Sequence, residues 1–143
     1  MADERSLSAE RLSVSSIDDV TAEACERVPS VQNGALVHLA EGMLLGGFGP
    51  GGAIDREPLV RAALRCLGAS NALPRPSRKA LEFVEYAFVS ERQIVVILRG
   101  TLRPTIALAL ACARESNLAF VLSATRQALG CIEANPELVQ WGL

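Results

Sequence analysis

A glycine-rich segment is the part of the sequence that comes nearest to a known chemical motif. Residues 47–52 read Gly-Phe-Gly-Pro-Gly-Gly and match G-x-G-x-x-G, in which a strand-to-helix turn binds a phosphate. A dinucleotide site also needs a parallel βαβ unit and an acidic residue about twenty positions later, and the region 71–78 has none. The next helix is expected to begin at Asp55 or Arg56, too far from the last glycine. We interpret the segment as a flexible turn without a cofactor; an enzyme that uses it is the alternative.

The other reactive side chains do not form a catalytic pattern. His38 is the single histidine, which excludes a multi-histidine metal site. Glu82 and Glu85 fall on opposite faces of one predicted strand, so they do not form a paired-carboxylate site. Each cysteine lies in a separate apolar segment and is predicted to be reduced and buried: Cys25, Cys66, Cys112 and Cys131. We therefore expect no enzyme activity, no metal site and a cytoplasmic location.

The composition argues against two further classes of function. The chain has 143 residues, about the length of one domain, and a formal net charge of −2. One Trp and one Tyr do not provide the stacking surface of a nucleic-acid-binding protein, and the charge does not attract a polyanion. Residues 1–16 lack the apolar core of a signal peptide, and no apolar run is long enough to span a membrane. Neither nucleic-acid binding nor membrane insertion is expected.

Three consecutive strand-like runs organise the predicted fold. Residues 81–89 are rich in aromatic and β-branched side chains, and residues 94–98 are continuously apolar, as in a strand covered on both faces. Residues 105–112 alternate between bulky and small side chains, which predicts a strand with one face of Ile, Leu and Cys and another of Ala. The alanine face would let a helix pack unusually close to the sheet.

The remaining elements are a first helix, a hairpin and two further helices. Their predicted bounds are residues 16–28, 31–45, 56–70 and 117–135. Asp55 is the expected cap of the second helix, and Ser116 or Asn117 is the expected cap of the last. The order helix, two strands, helix, three strands, helix predicts an α/β sandwich with a five-stranded sheet between layers of helix.

The element order and three segments resemble the roadblock/dynein light chain family. The segments are Gly42-Met-Leu-Leu, Ile94-Val-Val-Ile-Leu, and Ala-Arg-Glu-Ser-Asn-Leu at residues 113–118. The likeness covers residues 17–134 and is greatest to the bacterial branch that works with small Ras-like GTPases. The resemblance makes residues 16–135 a roadblock-like domain. Residues 1–15, with four Ser and scattered charge, are expected to be a disordered N-terminal segment, and residues 136–143, which begin at the helix-ending Pro136, are expected to be a short C-terminal tail.

The resemblance implies both an architecture and a mode of assembly. The architecture is a mainly antiparallel sheet with one helix on one face and two on the other. Family members have no catalytic residues or cofactor and form homodimers or heterodimers through the strand at 81–89 and the helix at 56–70. The candidate dimer contacts are Val60, Leu64, Leu67, Glu82, Val84, Tyr86 and Phe88. A long, apolar, proline-free edge strand supports pairing independently, because it would otherwise be an aggregation hazard.

In the family, the paired second helices form a platform on which a GTPase or another partner docks. Here that helix and the connection after it carry basic residues that we expect to bind an acidic partner: Arg56, Arg61, Arg65, Arg75 and Arg78. An ordinary solvated helix face is the alternative for these residues. The expected function is a regulator or scaffold that homodimerises and binds a small Ras-like GTPase or another roadblock-like protein. The alternatives are a small-ligand sensor domain and a purely structural dimerisation module.

The glycine-rich turn is expected to bind no nucleotide. Titration calorimetry with NAD, ATP and GTP should give only the heat of dilution, because the turn lacks the acidic and lysine residues that hold a ribose or a phosphate. A micromolar dissociation constant for any of the three would favour an enzyme or a sensor over a regulator.

Overall fold

Five antiparallel strands form one sheet, and helices pack on it. The computed structural model describes residues 17–68, 85–141 and 143, so the predicted segment 1–15 lies outside the described residues. The elements in chain order are α1 at residues 17–26, β1 Val31–His38, β2 Met43–Phe48, α2 Ala53–Ala63, β3 Glu85–Val89, β4 Gln93–Arg99, β5 Ile106–Ala113 and α3 Leu118–Glu133. The strand order is β2-β1-β5-β4-β3, with every neighbouring pair antiparallel. The predicted sandwich and its element order are confirmed.

The central strand β5 has a bulky face and a small face, as its sequence predicts. Its Ile, Leu and Cys side chains lie in one cluster with apolar residues of α1 and α3, such as Cys25 and Ile132. Its buried alanines lie in a second cluster with Leu59 and Ala63 of α2. Because alanine side chains are short, α2 can approach the backbone of the sheet closely. Helix α2 therefore packs on the face opposite to α1 and α3.

Of the four cysteines predicted to be buried, two belong to the core, Cys66 is only half-buried, and Cys131 is exposed. Cys25 and Cys112 are buried and free of disulfide bonds, as predicted. Burial raises the pKa of the Cys25 thiol to about 12 and that of Cys112 to about 11, so both thiols are neutral at physiological pH. Cys131 is exposed, contrary to the prediction, because it lies on the outer side of α3. There its sulfur accepts a hydrogen bond from the Arg27 guanidinium at 3.4 Å.

Helix α2 begins earlier than the sequence predicts. Its first residue is Ala53 and its N-cap is Gly52, whereas the sequence alone predicts a start at Arg56 with Asp55 as the cap. Asp55 occupies the third helical position, where its Oδ2 accepts a hydrogen bond from the Gly52 amide at 2.9 Å. A carboxylate is favourable at either position, because both lie at the positive end of the helix. The helix therefore follows the glycine-rich turn directly, and the predicted gap between them is wrong.

Arg56 connects the glycine-rich turn to the helix. Its side chain is buried, with 9% of the residue exposed, and it lies against Gly47, where any side chain would collide with it. The guanidinium donates hydrogen bonds to the carbonyl oxygens of Gly49 at 2.7 Å, Gly52 at 2.8 Å and Gly51 at 3.3 Å. These carbonyl oxygens converge on a cation, whereas a phosphate site needs converging amides. The prediction of Arg56 as an exposed partner-binding residue is wrong, because its charge is used inside the protomer.

The residues after α3 pack on the domain. Leu138 lies in the 3-10 helix Pro136–Trp141. It is 1% exposed and belongs to the core cluster under α3. Just before it, the buried carboxylate of Glu133 accepts hydrogen bonds from the backbone amides of Thr101 at 3.2 Å and Arg103 at 2.7 Å. The end of α3 thereby holds the loop between β4 and β5. The predicted tail contributes at least one core side chain because its apolar residue reaches the sheet.

Replacing Arg56 with methionine should destabilise the protein by about 1–3 kcal/mol, because the partly buried glycine carbonyls lose their donor. Urea unfolding followed by circular dichroism measures this free energy. Arg61→Met is the matched control: its guanidinium is exposed and pairs only with Glu57 four residues away in the described part of the chain, so it should cost less than about 0.5 kcal/mol. Equal losses in the two variants would contradict the structural role of Arg56.

Candidate interaction surface

Helix α2 covers the β1 and β5 side of the sheet and leaves the outer part of the same face open. Its main strand contacts are with β1, β5 and β2, whereas β4 and β3 lie beyond it. The open region is a groove of about 770 Å³ between the helix and the two outer strands. The wall of the groove is formed by residues of α2 and of the turn that follows it. The opposite side is formed by Phe88 of β3 and Val95 of β4. The groove is lined mainly by apolar side chains of the helix and the two outer strands.

The wall of the groove carries two stripes with the four-residue spacing of a helix. The helix continues beyond Ala63 as a π-helical turn, Leu64–Gly68, which extends the wall by about one turn. One stripe is mostly apolar and the other is charged. The apolar stripe consists of Ile54, Pro58, Ala62 and Cys66, and the charged stripe consists of Glu57, Arg61 and Arg65. The four-residue spacing of the apolar stripe is visible in the sequence. Val60 and Leu64 have the same spacing and larger side chains, so the sequence alone favours them as the contact surface.

The charged stripe gives the wall a net positive charge. Arg61 pairs with Glu57 at 2.6 Å, and both side chains are more than half exposed. Arg65 is exposed and has no ion-pair partner among the residues that the structure describes. Burial raises the pKa of the Cys66 thiol, which is therefore neutral at physiological pH and behaves as part of the apolar stripe. The wall of the groove therefore combines the neutral apolar stripe, which forms its floor, with the charged stripe, which forms a rim of net positive charge.

Strand β3 is the edge of the sheet beside the groove. Phe88 is 47% exposed and Val89 is 52% exposed, which is unusual for large apolar side chains in a strand. The Ser90 amide donates to the Gln93 carbonyl at 2.9 Å and closes the hairpin to β4. Because inward and outward amides alternate along an antiparallel strand, the amides of Ala87 and Val89 point to the open edge. The edge therefore offers both backbone donors and apolar surface.

The predicted dimer contacts of α2 do not face the groove. Leu67 is fully buried in the cluster between α2 and the sheet, so its prediction as a surface contact is wrong. Val60 and Leu64 are half-buried against the same cluster and do not line the groove. Leu64 lies on the flank of α2 toward the β1–β2 turn, where a side chain at Gly42 would touch it. Ala62 and Cys66, each two residues further along the chain, lie on the opposite flank of the helix and line the groove.

The remaining predicted site residues are partly described. Phe88 lines the groove, and Tyr86, two residues earlier on the same side of β3, is half-buried. Glu82 and Val84 lie outside the described residues. Arg61 and Arg65 line the groove together, as their spacing predicts. The two other predicted partner-binding residues, Arg75 and Arg78, also lie outside the described residues.

Two classes of site are not found in the described part of the chain. No group of three or more His, Cys, Asp or Glu side chains there could hold a metal ion. No helix there is long and apolar enough to cross a membrane. The candidate functional surface consists of the groove and the exposed edge of β3.

Comparison with known proteins identifies the fold. No protein-family model and no curated protein matches the sequence. The roadblock/LC7 domain from Streptomyces avermitilis matches with a TM-score of 0.61 at 12% identity, over 80% of this chain and 92% of that one. Myxococcus xanthus MglB matches with a TM-score of 0.63 at 16% identity, over 82% and 92%. An MglB structure with a tetrameric arrangement matches with a TM-score of 0.57 at 14% identity, over 82% and 85%. The resemblance seen in the sequence is thus confirmed for the architecture, and the chain has the roadblock/LC7 fold.

Proposed function

We propose that the chain is a non-enzymatic regulator or scaffold that forms a homodimer and binds a small Ras-like GTPase or a related protein. The open edge of β3 beside the groove is the observation that carries this proposal. Within the described protomer, both features leave apolar surface uncovered. Open strand edges and exposed apolar surfaces of this kind mark sites of protein interaction.

The two edges of the sheet differ in a way that favours pairing through β3. At the β2 edge, the amide of Gly47 donates to the Asp18 carboxylate of α1 at 2.7 Å. The neighbouring Gly46 packs against Thr21 of the same helix, so α1 covers this edge closely. The described part of β3 has no such cover over its outward amides at Ala87 and Val89. Sheet extension is therefore easier at β3 than at β2.

A second copy of the chain fits the β3 edge. Two antiparallel copies of one strand pair around a twofold axis perpendicular to the sheet. That axis places both α2 helices on the same face of the doubled sheet and joins the two grooves. A twofold contact needs a surface that complements itself, and the charged stripe carries both Glu57 and Arg65. The MglB structure with a tetrameric arrangement is an example of self-association in this fold.

The face that carries both α2 helices is the proposed binding site for the partner. Arg61 and Arg65 of each copy would give this face a positive field in a chain of net negative charge. Such a field attracts an acidic protein surface and speeds its association. Arg75 and Arg78 would extend the basic surface beyond the helix. The family resemblance supports a small Ras-like GTPase or another roadblock-like chain as the partner, and a cytoplasmic location is part of the same proposal.

A small-ligand sensor is the second candidate, and the volume of the groove supports it. About 770 Å³ lies within the range of ligand pockets, and an apolar floor with arginines at the rim would suit a small amphiphilic anion. This candidate requires the groove to be free for a small ligand, whereas the regulator proposal has a partner protein bound on the same face. A purely structural dimerisation module would pair through β3 without a GTPase.

Ala87→Pro should convert the dimer to a monomer at micromolar concentration. The substitution removes an outward amide that a second copy would use, while the hydrogen bonds from β3 to β4 remain. Sedimentation velocity measures the oligomeric state, and circular dichroism checks the fold. Ala87→Thr keeps the amide and should remain dimeric. A dimeric proline variant would show that β3 is not the interface.

Arg61→Glu combined with Arg65→Glu should slow the association of a Ras-like GTPase about tenfold or more at low salt, with a smaller effect at high salt. Surface plasmon resonance measures the association rate of the GTPase, loaded with GDP or with GTP, for the wild type and for the variant. Arg92→Glu with Arg114→Glu is the control, since both residues are exposed and lie outside the groove. Unchanged rates in the groove variant would place the partner elsewhere.

A further inference from the structure

An ion pair joins the proposed dimer edge to the opposite face of the sheet. Arg126 of α3 donates two hydrogen bonds to Glu85 of β3, from Nε to Oε1 at 2.6 Å and from the second nitrogen to Oε2 at 2.7 Å. Bidentate pairs of this kind fix both the distance and the orientation of the two groups. Glu85 is the first described residue of β3, and Arg126 lies near the middle of α3. The contact therefore joins α3 to the first described residue of the edge strand.

The position of Glu85 in the sheet explains why it meets α3. Glu85 is opposite Leu98 in the ladder, and Leu98 belongs to the cluster under α1 and α3. Two and four residues later, Ala87 and Val89 point to the same face but are exposed. Apolar packing on this face therefore contributes little to the order of β3. On this face, β3 is held mainly by its hydrogen bonds to β4 and by the ion pair with Arg126.

The electrostatics of the pair favour its charged form. The hydrogen bond from Arg126 lowers the pKa of the Glu85 carboxyl against the opposing effect of partial burial, and the charge of Arg126 adds to the lowering. The same contact raises the pKa of Arg126. Both groups are ionised at neutral pH, so the pair is present under physiological conditions.

We propose that Arg126 is a positioning residue for dimerisation, which orders the edge of β3 by holding Glu85 in place. The inference rests on the proposed pairing through β3. A strand edge can accept a second copy only when its backbone is extended and in register, and a frayed edge must be ordered at the moment of binding. The ion pair orders the strand beforehand without occupying its outward amides. It also couples the α3 face to the dimer edge, so that a change at α3 alters self-association.

The proposal separates local order from global stability. An exposed or half-exposed ion pair contributes little to the free energy of unfolding, so its removal should leave the unfolding midpoint nearly unchanged. Among the described residues, the side chains that follow Glu85 on this face of β3 are exposed, so the same removal should loosen that strand. A residue with a merely structural role would instead lower stability throughout the molecule.

The test compares Arg126→Met, Glu85→Gln and the double variant with the wild type. Sedimentation equilibrium gives the dimer dissociation constant, and hydrogen exchange gives the protection of the β3 amides of Tyr86 and Phe88. Each single variant should weaken the dimer about tenfold and speed exchange in β3, with little change in the urea midpoint of the monomer, measured at protein concentrations below the dimer dissociation constant. The double variant should be no weaker than either single variant, because all three lack the same contact. Arg114→Met removes an equal charge before α3 and should behave as the wild type.

The outcomes distinguish this inference from the proposed function. If the wild type is a dimer and Arg126→Met leaves its dissociation constant unchanged, the positioning role is overturned and pairing through β3 stands. Additive losses in the double variant would also overturn it, because the two residues would then act independently of each other. An equal loss in Arg114→Met would overturn it as well, because the effect would then come from net charge. A monomeric wild type would overturn the dimer and the positioning role together. Weakened dimers with faster exchange confined to β3 would support both.

Discussion

The close contact between α2 and the alanine face of β5 determines where the candidate site lies. Short side chains such as Ala107 and Ala109 allow the helix to sit on the centre of the sheet, with Leu59 and Ala63 buried beneath it. A helix in that position is too narrow to cover all five strands, because its diameter is about 10 Å and the strands are about 4.8 Å apart. The outer strands on this face stay open. The groove and the exposed edge of β3 are consequences of this packing.

The glycine-rich turn before α2 also helps to fix the position of this helix on the sheet. Gly47 leaves room for the Arg56 side chain, and the carbonyl oxygens of the turn hold its guanidinium. Asp55 accepts a hydrogen bond from the amide of Gly52, the N-cap residue of the helix. Together these contacts determine where α2 starts and which of its flanks faces the outer strands. A motif that resembles a phosphate site in sequence is thus used to anchor a helix.

The two edges of the sheet differ. The β2 edge is covered by a helix, and the described part of the β3 edge is open. Helix α1 closes over β2 through Asp18 and Thr21, whereas the described part of β3 is tied mainly by its ladder and by Arg126. An edge with little cover is a hazard for a soluble protein unless a specific partner uses it. The groove beside β3 adds apolar and charged surface to the same place, so interaction chemistry is concentrated on one side of the domain.

The sequence by itself determined the order of elements, because local patterns were sufficient. Alternation identified β5, and the two possible caps Ser116 and Asn117 marked the start of α3. In the structure the cap is Asn117, whose side chain accepts a hydrogen bond from the Phe120 amide at 3.1 Å. The charged stripe of Arg61 and Arg65 also followed from its spacing. These features depend on residues that are close in the chain.

Only the tertiary structure decided which side chains are available for binding. Arg56 reads as a surface cation, yet it is buried because a distant turn supplies carbonyl oxygens for it. Leu67 reads as a possible contact, yet it fills the space above the alanines of β5. Val60 and Leu64 face away from the groove, and Ala62 and Cys66 face it, because the position of α2 on the sheet sets the direction of each flank. A helical pattern defines the faces of a helix, and only packing against the rest of the chain decides which face remains exposed.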